Sequence, residues 1–176
     1  MNIAIVSYSL TGNNERFATS LAESLGATHR ILQTKKPVNY GTITADLIFQ
    51  RKPAVSLLRH ELASFDAIIF VAPVWMGQIA FPLRRCLDWI KQDTRPYGFL
   101  SISGGAMGDN PKLETELTRR AGRKPKLVLD QHIAQLLPGD TPPTSKETSD
   151  YQLTPSDCAR ITATAVETIR KEFHLE

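Results

Sequence analysis

A chain of 176 residues with 41% hydrophobic and 22% charged residues has the composition of a globular protein with enough apolar side chain for a sizeable core. Its formal charge of +3, without interleaved aromatic residues or a recognition motif, argues against nucleic acid as a partner. No apolar run reaches the roughly 18 residues of a membrane span, and the first residues lack the basic start of a secretory leader, so a cytoplasmic protein of one domain, residues 1–176, is expected.

Short apolar runs alternate with segments of helical period. Residues 3–7 open with Ile3-Ala4-Ile5-Val6, a near-continuous apolar strand. Phe17, Ala18, Leu21, Ala22 and Leu25 then share one helical face, and Gly26 stops the helix. A weak strand is expected at 28–32, and a helix interrupted by Pro53 over 47–62. Residues 67–72 form the third strand. Leu83, Cys86, Leu87 and Ile90 mark the helix after it, with Pro82 in its first turn and Trp89 packing within it. Residues 99–103 are the fourth strand, and Asn110-Pro111 opens a helix that Gly122 ends. Residues 126–130 are the fifth strand, and the last helix begins at Thr154-Pro155 and runs to Phe173. Strands this uniformly apolar are covered on both faces, so the expectation is a doubly wound α/β fold with a five-stranded parallel sheet between helices and right-handed crossovers.

Residues 131–153 carry Pro138, Pro142 and Pro143 among Gly, Ser, Thr and Asp, and read as a long mobile loop, with a lid or a partner surface as alternatives. Arg119, Arg120, Arg123, Lys124 and Lys126 gather where a helix ends, which offsets the negative pole of its dipole; a patch for an acidic partner is the other reading. Cys86 and Cys158 have no metal-ligand spacing and are expected to be buried free thiols. His29, His60, His132 and His174 are scattered and read as surface or loop residues, so neither a metal site nor a hydrolase is indicated.

Three strand-to-helix connections carry chemistry. Ser9, Thr11, Gly12, Asn13 and Asn14 follow the first strand and precede the first helix, where backbone N–H groups and the positive helix end favour a phosphate. There is no lysine or arginine in this loop, so a monoester held by neutral donors fits better than a triphosphate. After the third strand, Pro73, Val74, Trp75, Met76 and Gly77 place a tryptophan at the carboxyl edge of the sheet, where a flat ring could stack on it. After the fourth, Ser103, Gly104, Gly105, Met107 and Gly108 form a glycine-rich turn with room for a ring edge and unobstructed N–H groups.

Ser9-Leu10-Thr11-Gly12-Asn13-Asn14 resembles the Ser/Thr-x-Thr-Gly-x-Thr phosphate loop of the flavodoxin family, with Asn14 in place of the last threonine. The run from Pro73-Val74-Trp75 to Pro82-Leu83-Arg84 is similar to the first flavin loop of small flavodoxin-like proteins. The resemblance spans about residues 1–122 and implies sheet order 2-1-3-4-5, non-covalent FMN, and all fifteen residues named in the three loops as its cofactor-binding set. It implies electron transfer to a redox partner protein. The rival reading is an FMN-dependent oxidoreductase using NAD(P)H and a small acceptor such as a quinone, because the loops lack the acidic residues that steer shuttles to basic partners, Asp109 excepted. A cofactor-free binding module on the same fold is a third.

Overall fold

The computed structural model describes every residue except 37, 39, 105–109, 138–142 and 176. Five parallel strands form the central sheet: β1 (Ile3–Ser7), β2 (Thr28–Ile31), β3 (Ala67–Val71), β6 (Tyr97–Ser103) and β7 (Leu127–His132), in spatial order β2-β1-β3-β6-β7. With the small hairpin β4 (Val74–Trp75) and β5 (Gln78–Ile79) set aside, this is the expected order, and the fold is flavodoxin-like. Alternation along the central strands sorts the core into two layers. Ala4, Val6, Ile68, Phe70, Tyr97 and Phe99 pack against α3 (Leu83–Lys91) and α4 (Leu113–Ala121). Ile3, Ile5, Ala67, Ile69, Leu100 and Ile102 pack against α1 (Asn13–Leu25) and α6 (Pro155–Phe173). Both layers are apolar on either sheet face, as the uniform strand composition predicted.

Several segments differ from the sequence-based expectation. The helix expected at 47–62 is instead α2 (Tyr40–Ile48), followed by an irregular stretch with one bridge, Thr34 to Val55, and a single 3-10 turn at Arg59–Leu62. Pro53 removes the N–H that a continuous helix would need. The helix expected from Asn110-Pro111 begins at Leu113; Gly122 does close it, in the left-handed conformation at φ 71°. The region 131–153 holds a 3-10 turn at Ile133–Gln135 and the short helix α5 (Ser145–Asp150). A capping box at Thr144 and Glu147 starts α5, and the same device at Thr154 and Asp157 starts α6.

Two further expectations change. Cys86 is buried, whereas Cys158 is only partly so. His132 is 3% exposed rather than a surface residue, and His29 is half-buried with a 2.7 Å hydrogen bond to the Ser7 hydroxyl. The basic cluster after α4 is largely spent on the chain itself: Arg120 pairs with Glu116 at 2.7 Å, Lys124 with Glu114 at 2.9 Å, and Arg123 donates to the Ile90 carbonyl at 2.8 Å.

Candidate functional site

The carboxyl ends of β1, β3 and β6 bring the three loops to one rim, as parallel strands in a doubly wound sheet require. A cavity of about 350 Å³ opens between them. Of the residues nominated from sequence, Thr11, Asn14, Pro73, Val74, Trp75, Met76 and Gly104 line it. Gly105, Met107 and Gly108 lie outside the described residues.

The first loop is built around Gly12, which caps α1 at φ 94°, a backbone region that L side chains resist. The Ser9 hydroxyl accepts a 2.9 Å hydrogen bond from the Gly12 N–H, so its first commitment is to shaping the turn. Asn13 and Asn14 are 1% and 2% exposed, and both side-chain amides are spent on protein. Asn14 donates to the Ile102 carbonyl at 2.8 Å and accepts from the Ile102 N–H at 2.9 Å, which clips the start of α1 to β6. Asn13 does the same for a remote segment, donating to the Tyr151 carbonyl at 2.8 Å and accepting from the Leu153 N–H at 2.9 Å. What these two residues can offer a phosphate is therefore backbone N–H at the positive end of α1, with the Thr11 hydroxyl beside it. The charge-free donor set suits a phosphate monoester.

In the second loop, Met76 and Gly77 have φ 50° and 73°, so the hairpin β4–β5 turns through two left-handed residues. The hairpin presents Trp75, whose ring is held edge-on by Tyr8 (centroids 5.9 Å apart, 87° between planes) and by Phe81 (5.4 Å, 74°). Trp75 thus both packs on the core and lines the cavity. Tyr8 is itself buried, and loss of water pushes its hydroxyl up to about 12, so it stays protonated. Beneath the third loop, Ser103 is 1% exposed, and its hydroxyl joins Ser101 (2.7 Å) and the Asp130 carboxylate (3.0 Å) instead of lining the cavity.

The sequence reading missed three walls of the cavity. Leu10 forms part of the mouth, Ile43 and Thr44 come from α2, and Thr148 and Ser149 from α5. Only α5 had a local signal, the Thr144-Ser145-Lys146-Glu147 capping box; α2 reaches the site by tertiary packing. Arg84, 1% exposed, helps hold it there. Its guanidinium donates to the Asp46 and Arg51 carbonyls at 3.2 and 3.3 Å and to the Gln78 side chain at 2.9 Å, while lying 4.2 Å from the Phe81 ring centroid. Burial lowers its pKa to about 10, still high enough to keep the charge. Among the described residues, no group of three His, Cys, Asp or Glu is placed to hold a metal, and no helix is long and apolar enough to cross a membrane.

The comparisons agree with this geometry. A protein-family model described as NADPH-dependent FMN reductase matches residues 1–115. A protein named NAD(P)H dehydrogenase (quinone) from Geobacter sulfurreducens is 28% identical over 149 residues, 79% of this chain and 69% of that protein. One of the same name from Syntrophobacter fumaroxidans is 27% identical over the same shares. In fold, the chain is similar to a flavoprotein from Lactobacillus acidophilus solved in complex with FMN, with TM-score 0.63 and 18% identity over 74% of this chain and 93% of that one. A flavodoxin, WrbA-like protein from Agrobacterium tumefaciens aligns over the whole of both chains with TM-score 0.53 and 14% identity. With the family match over residues 1–115 and the sheet order β2-β1-β3-β6-β7, the chain belongs to the NADPH-dependent FMN reductase family, an FMN-binding protein on a flavodoxin-like fold.

Proposed function

We propose that the chain is an FMN-dependent oxidoreductase that draws hydride from NAD(P)H and passes electrons to a small, neutral, flat acceptor of the quinone class. The observation that carries this reading is the composition of the cavity: apolar residues such as Leu10, Val74, Trp75 and Ile102 together with Thr11, Thr44 and Ser149, and, among the described residues, no charged side chain. Such walls favour an uncharged ring over a charged acceptor, which would lose its hydration without a counter-charge. The names of the similar proteins from Geobacter and Syntrophobacter support it.

FMN, when bound, supplies hydride acceptance and electron release. The chain supplies position and environment. In this reading Thr11 and the N–H groups at the start of α1 hold the phosphate, with Gly12 leaving the backbone open to close approach. Trp75, braced by Tyr8 and Phe81, gives the ring a fixed flat neighbour. Pro73, Val74, Gly77 and Gly104 would line its polar edge. The apolar walls keep water from the reacting face.

A second reading, electron transfer to a protein partner, is favoured by one feature: Met76, at the hairpin tip beside the cavity, is 79% exposed. Anaerobic addition of NADPH or NADH to the FMN-loaded protein separates the two. Rapid bleaching of the flavin band and its return on adding a soluble benzoquinone are expected. A band that neither nicotinamide bleaches would overturn the oxidoreductase reading in favour of the shuttle.

A further inference from the structure

Residues 144–154 cross from α5 to the start of α6 over the tip of the first loop, and their attachments are specific. Asn13 holds the backbone of Tyr151 and Leu153 through both ends of its amide. The Gln152 side chain donates to the Thr11 carbonyl at 3.2 Å and stands 3.9 Å from where a Cβ on Gly12 would be. Arg16 adds a bond to the Leu153 carbonyl at 3.3 Å. On the cavity side Thr148, fully buried, and Ser149 line the wall, and the Thr148 carbonyl lies 3.6 Å from the Cβ position of Gly104. The segment therefore spans from the first loop to the third, with Gln152 against the Thr11–Gly12 edge.

We propose that this segment is a strap that restricts the site to a mononucleotide flavin, with Gln152 as the specificity-determining side chain and Asn13 as the positioning residue that latches it. The inference rests on the reading that the FMN phosphate occupies the first loop. A terminal monoester ends inside the strap. The adenylate half of FAD continues from that same phosphate through a pyrophosphate, and would have to leave across the Thr11–Gly12 edge that Gln152 closes. Discrimination arises by obstruction of the wrong ligand rather than by added attraction for the right one. Because Gln152 is exposed, removing its side chain should leave the fold intact.

The test is titration of the flavin-free protein with riboflavin, FMN and FAD, followed by flavin fluorescence, for wild type, Gln152→Gly and Asn13→Ala, each with a melting curve to establish folding. Wild type is expected to bind FMN at least about tenfold more tightly than FAD, and each folded variant to narrow that ratio at least about fivefold, chiefly by gaining FAD. Asn13→Ala should also release FMN faster. Wild type that binds FMN and FAD alike, or a folded Gln152→Gly protein with an unchanged ratio, would overturn the strap while leaving the phosphate loop in place. Wild type that binds FMN no better than riboflavin would overturn the phosphate placement and the strap with it.

Discussion

Trp75 packs T-shaped against both Tyr8 and Phe81, which braces its ring at the cavity wall. Replacing it with alanine removes both the stacking surface and part of the cavity wall, and FMN affinity is expected to fall about tenfold or more, readable by fluorescence titration. Arg84 is a structural residue by comparison. Its guanidinium donates to backbone carbonyls at the end of α2 and just beyond it, so Arg84→Met should destabilise the protein by about 1–3 kcal/mol in chemical denaturation through the loss of these charge-assisted hydrogen bonds. The cysteines divide by burial. Burial pushes the Cys86 thiol up to about 12, whereas Cys158 is partly exposed, so iodoacetamide is expected to modify Cys158 alone until the chain is unfolded. Mass spectrometry of the labelled peptides decides it.

Among the elements, the hairpin β4–β5 is the clearest case of stability set against function. Met76 occupies a left-handed conformation and is largely exposed, two features that a turn selected for stability alone would avoid. Met76→Asn creates the Asn-Gly pair that this turn prefers and should stabilise the protein by about 0.5–1 kcal/mol. If Met76 serves the cavity rim, the same change lowers turnover of a quinone acceptor, and the two measurements together tell packing from function. The start of α6 is fixed by its cap. The Thr154 hydroxyl accepts from the Asp157 N–H at 3.1 Å, and the Asp157 carboxylate accepts from the Thr154 N–H at 3.0 Å. Thr154→Ala should cost about 1 kcal/mol, or roughly 2–4 °C in Tm, with flavin selectivity preserved because the strap is latched upstream of the cap.

Across the whole molecule, the amino edge of the sheet carries a cluster of paired charges, while the charges near the carboxyl edge lie behind the cavity walls. At the amino edge, Arg95 clamps Asp93 and the Phe65 carbonyl, and Arg123 ties the end of α3. Hydrogen bonds from Arg95 hold the Asp93 carboxyl down to about 2 from its ordinary 3.8. A depressed carboxyl stabilises the folded state above its unfolded value and loses that contribution as pH falls through the folded one, so stability should drop between pH 3.8 and about 2, and Asp93→Asn should flatten that part of the curve. At the carboxyl edge the described residues that line the cavity are uncharged. Much of this plan was readable from sequence. The apolar runs of β1, β3 and β6, the helical period of α1 and α6, and the Ser9–Asn14, Pro73–Gly77 and Ser103–Gly108 connections determined the strand-helix order, because each rests on local periodicity or turn chemistry. Only the tertiary structure decided that Asn13 and Asn14 spend their amides on the Tyr151–Leu153 backbone and on Ile102, that Ser103 turns inward to Asp130, and that α2 and α5 wall the cavity. Those partners lie 27 to 140 positions away along the chain, and a hydrogen bond over such separations leaves no periodic trace in the residues that make it.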